Sequence, residues 1–98
     1  MLDVRETDEF SEWLHALKDA RARAKILIRI DRAANGNPGD VAPVGEGVSE
    51  LRINYGPGYR VYYIQRGTRY ILLLAGGDKS TQSKDIAAAK RLAGRYED

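Results

Sequence analysis

The sequence predicts one small α+β domain, in which an antiparallel sheet carries a helical hairpin on one face and a C-terminal helix. Two helix-like segments precede residue 36, and three apolar, strand-like runs lie between residues 50 and 75. A chain of 98 residues can bury one modest core, and no repeat or linker divides it. Residues 1–98 are therefore predicted to form a single domain.

The N-terminal segment predicts a short edge strand at residues 2–4 and then an amphipathic helix. Apolar residues recur there at the helical spacings i, i+3, i+4 and i+7, namely Phe10, Trp13, Leu14 and Leu17. Thr7 or Asp8 can cap the N-terminus of this helix.

A second helix is predicted to begin near Asp19 or Ala20 and to end at residues 35–39, where Gly36 and Pro38 stop it. We expect small and branched residues to form its inward side: Ala20, Ala24, Leu27, Ile30 and Ala34. We expect cations to form the opposite side: Arg21, Lys25, Arg29 and Arg32. The two helices should form a hairpin against one face of the sheet.

The remaining chain predicts a loop, three strands and a helix. Residues 40–47 suit the loop, residues 50–55 and 59–65 alternate as strands, and Arg66-Gly67 suits a tight turn into a third strand. Residues 71–74 are continuously apolar, which indicates a central strand covered on both faces. Residues 80–83 offer caps for the final helix, whose inward side would carry Ile86, Ala89 and Leu92.

The composition excludes several kinds of site. The chain has no cysteine and only His15 as histidine, so disulfides, thiolate metal sites and a two-histidine acid–base pair within one chain are excluded. We expect neither a metal nor another cofactor. No signal peptide is visible and no apolar run reaches the roughly 20 residues of a membrane span, so a cytoplasmic location without a membrane partner is the default expectation.

Charge is distributed unevenly along the chain. Residues 1–19 carry six acids and two cations, a net charge of −4, whereas residues 51–98 carry nine cations and four acids, a net charge of +5. This asymmetry favours an anionic partner for the C-terminal half.

Two arginines are candidates for holding a phosphate. Arg60 lies in an apolar-aromatic strand, where a guanidinium needs solvent, a bound anion or an acidic neighbour such as Glu50. Arg52 should point outward beside Glu50 and Asn54, as on any solvated strand face. The two arginines can act together only if the hairpin register brings them to one face.

The junction at residues 76–82 is a candidate anion site, because it joins a strand to a helix and contains Lys79. Ser80 and Gln82 are candidate RNA contacts within it, and a simple turn with a helix cap is the alternative. Tyr62 alternates in phase with Arg60 and is the candidate ring for stacking on a base. Arg29 and Arg32 are further candidate RNA contacts, unless they form a solvated helix face.

Four segments carry a resemblance to a known family: E-L-R-I, G-Y-R-V-Y-Y, L-L-L-A-G-G-D-K-S-T-Q and A-N-G-N-P-G-D. In order and spacing they resemble the RelE/ParE toxin superfamily, and within it the HigB-like "addiction module killer" branch. The resemblance implies a RelE-like fold and an endoribonuclease that cuts mRNA, in many members on the ribosome. It also implies a helix-turn-helix antitoxin as partner, with operator DNA bound only through the toxin–antitoxin complex.

The resemblance implies catalytic roles for Arg52, Arg60 and Lys79, which match the family's basic positions. Glu50 and Asp85 are the carboxylates available as a general base. The chain departs from the family at the start of the last helix, where Lys84-Asp85-Ile86 replaces a functional ring. Two alternatives stay open: a ParE-like inhibitor of DNA gyrase and a non-catalytic co-repressor that acts with its antitoxin.

Overall fold

The structure, a computed structural model, describes residues 1–96. Its strands are β1 (Asp3–Glu6), β2 (Val41–Gly45), β3 (Val48–Ile53), β4 (Tyr59–Arg66) and β5 (Tyr70–Asp78). Its helices are α1 (Asp8–Ala16), α2 (Ala20–Ala34) and α3 (Gln82–Gly94), and a 3-10 turn (Lys79–Thr81) precedes α3. The predicted α+β domain of RelE type, with a helical hairpin and a C-terminal helix, is confirmed.

The five strands form one sheet in the order β1-β5-β4-β3-β2. The ladders from β2 to β5 are antiparallel, as predicted, but β1 runs parallel to β5. The prediction of a wholly antiparallel sheet is therefore wrong at one edge. The chain leaves β1 through both helices of the hairpin and reaches β5 only after the other strands, a crossover that permits parallel pairing.

The segment predicted as a loop at residues 40–47 contains β2. Pro43 cannot donate to a ladder, but β2 lies at the sheet edge, and the register shifts between Pro43 and Gly45. Glu46 and Gly47 both have positive φ, 55° and 78°, which suits the tight turn of a hairpin. The predicted loop is therefore wrong at residues 41–45, which form an edge strand.

The sheet is covered on both faces, and β5 is a central strand, as predicted. On one face α1 and α2 pack on a cluster that contains Phe10, Ile26, Leu51, Val61 and Leu73. On the other face α3 packs on a cluster that contains Val48, Ile64, Leu74, Ala89 and Leu92. Thr7 caps α1 by accepting from Phe10 N at 3.0 Å, and its hydroxyl donates to Leu74 O at 2.7 Å. The cap therefore also attaches α1 to β5.

The inward side of α2 differs from the prediction. The buried residues are Ala22, Ile26, Ile30, Ala33 and Ala34, whereas the side chains of Leu27 and Ile28 are 51% and 59% exposed. The helix carries two apolar stripes, and the one with two isoleucines lies against the sheet because it buries more apolar area. Within residues 1–96, no helix is long and apolar enough to cross a membrane.

Candidate functional site

Arg52 and Arg60 lie directly opposite each other. They are paired in the β3–β4 ladder, and Arg60 is paired with Gly77 of β5. Residues paired across an antiparallel ladder point to the same face, so the two guanidinium groups share the face that α3 covers. The hairpin register therefore brings Arg52 and Arg60 to the same face, which their joint action requires.

Glu50 is the centre of this polar group, with an exposed fraction of 1%. Arg52 Nε donates to Glu50 Oε1 at 3.0 Å, and Arg60 Nε lies 3.7 Å from the same oxygen. Gln82 Nε2 and Tyr62 OH donate to Glu50 Oε2 at 2.6 and 3.2 Å. We call these five residues the Glu50 cluster. It joins β3, β4 and the start of α3.

The cluster keeps Glu50 ionised. Burial alone would raise the pKa of this carboxyl group, but hydrogen bonds from Arg52, Gln82 and Tyr62, with the charge of Arg60, lower it below its usual value. The hydrogen bond to Glu50 in turn raises the pKa of Arg52. Both oxygens of this buried carboxylate are engaged, so Glu50 could act as a general base only if these hydrogen bonds rearranged. Its role as a base stays a prediction.

Arg60 is almost enclosed, with an exposed fraction of 8%. Its Nη1 donates to the carbonyl oxygens of Tyr59 and Gly58, at 3.1 and 3.3 Å, while its buried Nε has no hydrogen-bond partner. Pairing with Glu50, the alternative to phosphate binding, is the arrangement observed. Arg52 is more open, and its Nη1 lies 3.7 Å from Asp40 Oδ1.

Lys79 is the exposed cation beside Arg60. It follows β5, and its aliphatic chain runs over Gly58, whose carbonyl Arg60 contacts. A Cβ atom on Gly58 would lie 3.0 Å from carbons of Lys79. Among residues 1–96, none forms an ion pair with the Lys79 ammonium group. Of the three candidate cations Arg52, Arg60 and Lys79, Lys79 is thus the one that is exposed and available to bind an anion.

The glycines of the junction make room for the protein's own side chains. Cβ atoms built on Gly76 and Gly77 would lie 2.2 Å from a ring carbon of Trp13 and 1.8 Å from Asp85 Oδ2. Thr81 Oγ1 donates to that Asp85 oxygen at 2.5 Å. Asp85 therefore packs against β5 and the start of α3.

A second carboxylate, Asp78, caps the 3-10 turn. Ser80 N donates to Asp78 Oδ1 at 2.8 Å, and the Ser80 hydroxyl donates to the same oxygen. These hydrogen bonds lower the pKa of Asp78. The junction is thus a capped turn, the alternative raised for it, and Ser80 is exposed but bound to Asp78.

Tyr62 does not have the exposure that base stacking needs. Its exposed fraction is 0%, and its hydroxyl is used by Glu50. Burial, followed by the negative charge of Glu50, raises the pKa of Tyr62. The expectation of a stacking ring is corrected, because α3 covers the face that the alternation assigned to solvent.

Arg29 and Arg32 belong to α2, the helix that covers the opposite face of the sheet from the side chains of the Glu50 cluster. Arg29 donates to the carbonyl oxygens of Arg52, Pro38 and Asp40 at 2.5, 2.8 and 3.1 Å. Burial lowers the pKa of Arg29. Arg29 is therefore only half-exposed, whereas Arg32 is exposed as expected. RNA binding by these two arginines stays a prediction.

Sequence reasoning missed two features of this region. One is the ion pair of Asp40 with Arg52, because Asp40 lies in the segment predicted as a loop. The other is the contact of Gln82 with Glu50, which no local pattern signals because 32 residues separate them. Over residues 1–96 no group of three or more metal-ligating side chains comes together.

The fold and this group define a small α+β protein with cations at one end of its sheet, two on adjacent strands and one in the turn that follows a third strand. Residues 12–96 match the family described as "Phage derived protein Gp49-like (DUF891)". The chain therefore belongs to the Gp49-like family, which is of the addiction-module toxin type. It is also similar to an uncharacterized protein of Haemophilus influenzae, with 50% identity over 92 residues that cover 94% of this chain and 93% of the relative.

Proposed function

We propose that this protein is the toxin of a type II toxin–antitoxin pair and acts as a metal-independent endoribonuclease on mRNA at the translating ribosome. The observation that carries the proposal is the register of β3 and β4 together with the position of Lys79 directly after β5. Arg52 and Arg60 are opposite each other, and Lys79 packs over Gly58 beside Arg60. Three cations at one end of a sheet suit an RNA backbone. The family's toxin type and the resemblance to HigB-like toxins support the same reading.

The proposed chemistry is attack of a 2′-hydroxyl on the adjacent phosphate. This reaction needs in-line geometry and stabilisation of the negative charge that develops on the phosphate oxygens. Lys79 is exposed and can contact that charge or protonate the leaving oxygen. Arg52, which is partly exposed, supplies a second contact. Arg60 is nearly buried and contributes its charge from beneath, as a positioning residue.

The remaining polar residues have supporting roles in this proposal. Glu50 holds the two arginines, and Tyr62 and Gln82 hold Glu50. Ser80 and Arg32 stay candidate RNA contacts at the surface. Asp85 is the less buried of the two candidate bases, although its carboxylate accepts a hydrogen bond from Thr81. The exposed charge of Lys79 is the main electrostatic contribution to the proposed reaction.

The proposed partners follow from the toxin role. They are mRNA, the ribosome and a helix-turn-helix antitoxin, with operator DNA reached only through the antitoxin complex.

The enclosure of Arg60 favours a second candidate, a toxin that binds without cutting. Glu50 and Asp40 already compensate much of the charge of Arg52 and Arg60. A binding toxin of the ParE type, directed at DNA gyrase, needs no transition-state clamp. A co-repressor that only joins its antitoxin needs none either.

Primer extension on abundant transcripts after brief induction tests the proposal, with Lys79→Ala as the variant. Truncation should remove new 5′ ends in coding regions, because losing one transition-state contact costs about 10²–10³ in rate. Lys18→Ala is the matched control, since Lys18 is also exposed but lies between α1 and α2. Both variants should melt like the wild type.

Two other outcomes contradict the ribonuclease, and a third contradicts only the role of Lys79. Intact transcripts with arrested growth and altered supercoiling indicate gyrase inhibition. Intact transcripts with normal growth indicate the co-repressor. Cleavage that survives Lys79→Ala unchanged would remove Lys79 from the site.

A further inference from the structure

Helix α2 carries a second apolar stripe that its own fold does not cover. The inner stripe, with Ile26 and Ile30, is buried against the sheet. The outer stripe consists of exposed residues: Ala20, Ala24, Leu27 and Ile28. Ala20, Ala24 and Leu27 have the spacing i, i+4 and i+7, which is the spacing of a helix–helix seam. We call these four residues and the cations beside them the outer α2 surface.

Two of the four residues of this stripe, Leu27 and Ile28, are large. Leu27 and Ile28 are 51% and 59% exposed and adjacent, in the middle of a regular helix. Within residues 1–96, the other large exposed apolar side chains lie near the two ends of this range: Met1, Val4 and Tyr96. Single exposed apolar residues are ordinary, whereas a contiguous exposed stripe marks an interaction surface.

A groove borders the stripe where α2 meets the end of β3. It has a volume of about 330 Å³, and its walls include Ile28, Ile53, Tyr55 and Lys25. Lys25 Nζ lies 5.2 Å from the centre of the Tyr55 ring. The groove can take an apolar side chain, and Lys25 at its wall favours an acidic neighbour of that side chain.

The charges around the stripe favour one kind of binding partner. Arg21, Lys25 and Arg32 are exposed, and within the described chain no salt bridge neutralises any of them. Asp31 is the single acid in the sequence of this helix. A second copy of the same surface would place cations against cations, which is unfavourable. A helix with acids beside its apolar seam would instead complement these charges.

We propose that the outer α2 surface docks an acidic amphipathic helix of another polypeptide. Leu27 and Ile28 would insert into its apolar seam, and Arg21, Lys25 and Arg32 would pair with its flanking carboxylates. The surface lies on the opposite side of the sheet from the Glu50 cluster. Docking there leaves Lys79 uncovered, so this inference stands apart from RNA cleavage.

Two designed peptides test the proposal with the full chain. Both carry leucine at the a and d positions of three heptads, and the flanking e and g positions are glutamate in one peptide and lysine in the other. Fluorescence anisotropy should show binding of the glutamate peptide alone. Amide shifts in the NMR spectrum of the protein should concentrate on α2 and on the end of β3.

Variants locate the contact. Ile28→Asp should weaken binding by about tenfold or more, because it removes apolar burial and adds a like charge. Val4→Asp is the matched control, since Val4 is also an exposed apolar residue but belongs to β1. Lys25→Glu should weaken binding of the glutamate peptide, whereas Lys84→Glu on α3 should not.

Three outcomes would overturn the proposal. They are binding of both peptides with equal affinity, binding of neither, and shifts that map outside α2. Sedimentation of the protein alone should show a monomer. A dimer that Ile28→Asp dissociates would assign the surface to a second copy instead. All these readouts are independent of nuclease activity.

Discussion

The face of the sheet under α1 and α2 is filled by apolar side chains, whereas the face under α3 combines apolar residues with the Glu50 cluster. Alternation along the same strands produces both faces: Leu51 points to one and Glu50 to the other. Packing on the first face requires only side chains of suitable volume and shape. The second needs each polar group to have a partner, because an unpaired buried charge is costly. Stability and charge placement are thus assigned to opposite sides of the same sheet.

Loss of the central carboxylate should give the largest effect. Glu50→Ala should destabilise the protein by roughly 3–5 kcal/mol, because it leaves Arg60 buried without its counter-charge. Urea denaturation measures this free energy of unfolding. The sharper comparison uses shape-conserving changes on the two faces: Leu51→Met should cost less than about 1.5 kcal/mol, and Glu50→Gln should cost more. Equal costs would mean that the α3 face depends on packing alone.

The two junction glycines offer a smaller test on one strand. Gly76→Ala should cost roughly 1–3 kcal/mol by overpacking, since its methyl group meets the buried side of the Trp13 ring. Gly77→Ala meets the end of the Asp85 side chain, which can rotate away and lose one hydrogen bond. We expect its cost to be the lower of the two in thermal denaturation. The reverse order would indicate that Asp85 is held rigidly and Trp13 is not.

Acid should produce the smallest and most specific difference. The folded-state pKa of Glu50 lies below its ordinary value of 4.5, so ionised Glu50 stabilises the folded state above that pH. This contribution fades as the pH falls through the lowered pKa. The stability difference between the wild type and Glu50→Gln should therefore be largest near neutral pH and shrink below about 4.5. A difference that is constant with pH would show that Glu50 is not held as the anion.

Most of the fold could be predicted from local patterns. The stripe of α1, its cap at Thr7, the start of α2 near Asp19 and the continuous apolar run of β5 are each determined within a few residues. The failures have physical causes. Pro43 is unfavourable in a central strand but tolerated in the edge strand β2. Helix α2 has two apolar stripes, and which of them is buried depends on packing against the sheet and not on the helix sequence alone.

The candidate site was less accessible to sequence reasoning. The sequence predicts that Arg52 and Arg60 lie on successive strands and that Lys79 follows the next strand, but it does not determine the register that pairs the two arginines. Their exposure could not be predicted either, because it depends on how α3 crosses the sheet. The helix converts a face that looks solvated into one where Glu50 and Tyr62 are fully enclosed. Period-two alternation identifies which residues share a face but not what covers it.

The pairing of β1 with β5 affects the order in which the chain can fold during synthesis. Asp3 is paired with Tyr70, so the first strand remains without its neighbour until more than two thirds of the chain has been made. Gln82 arrives later still, and Glu50 has its full set of donors only then. Contacts so distant along the chain slow folding. A nascent chain therefore cannot present the assembled cluster before Gln82 has been added.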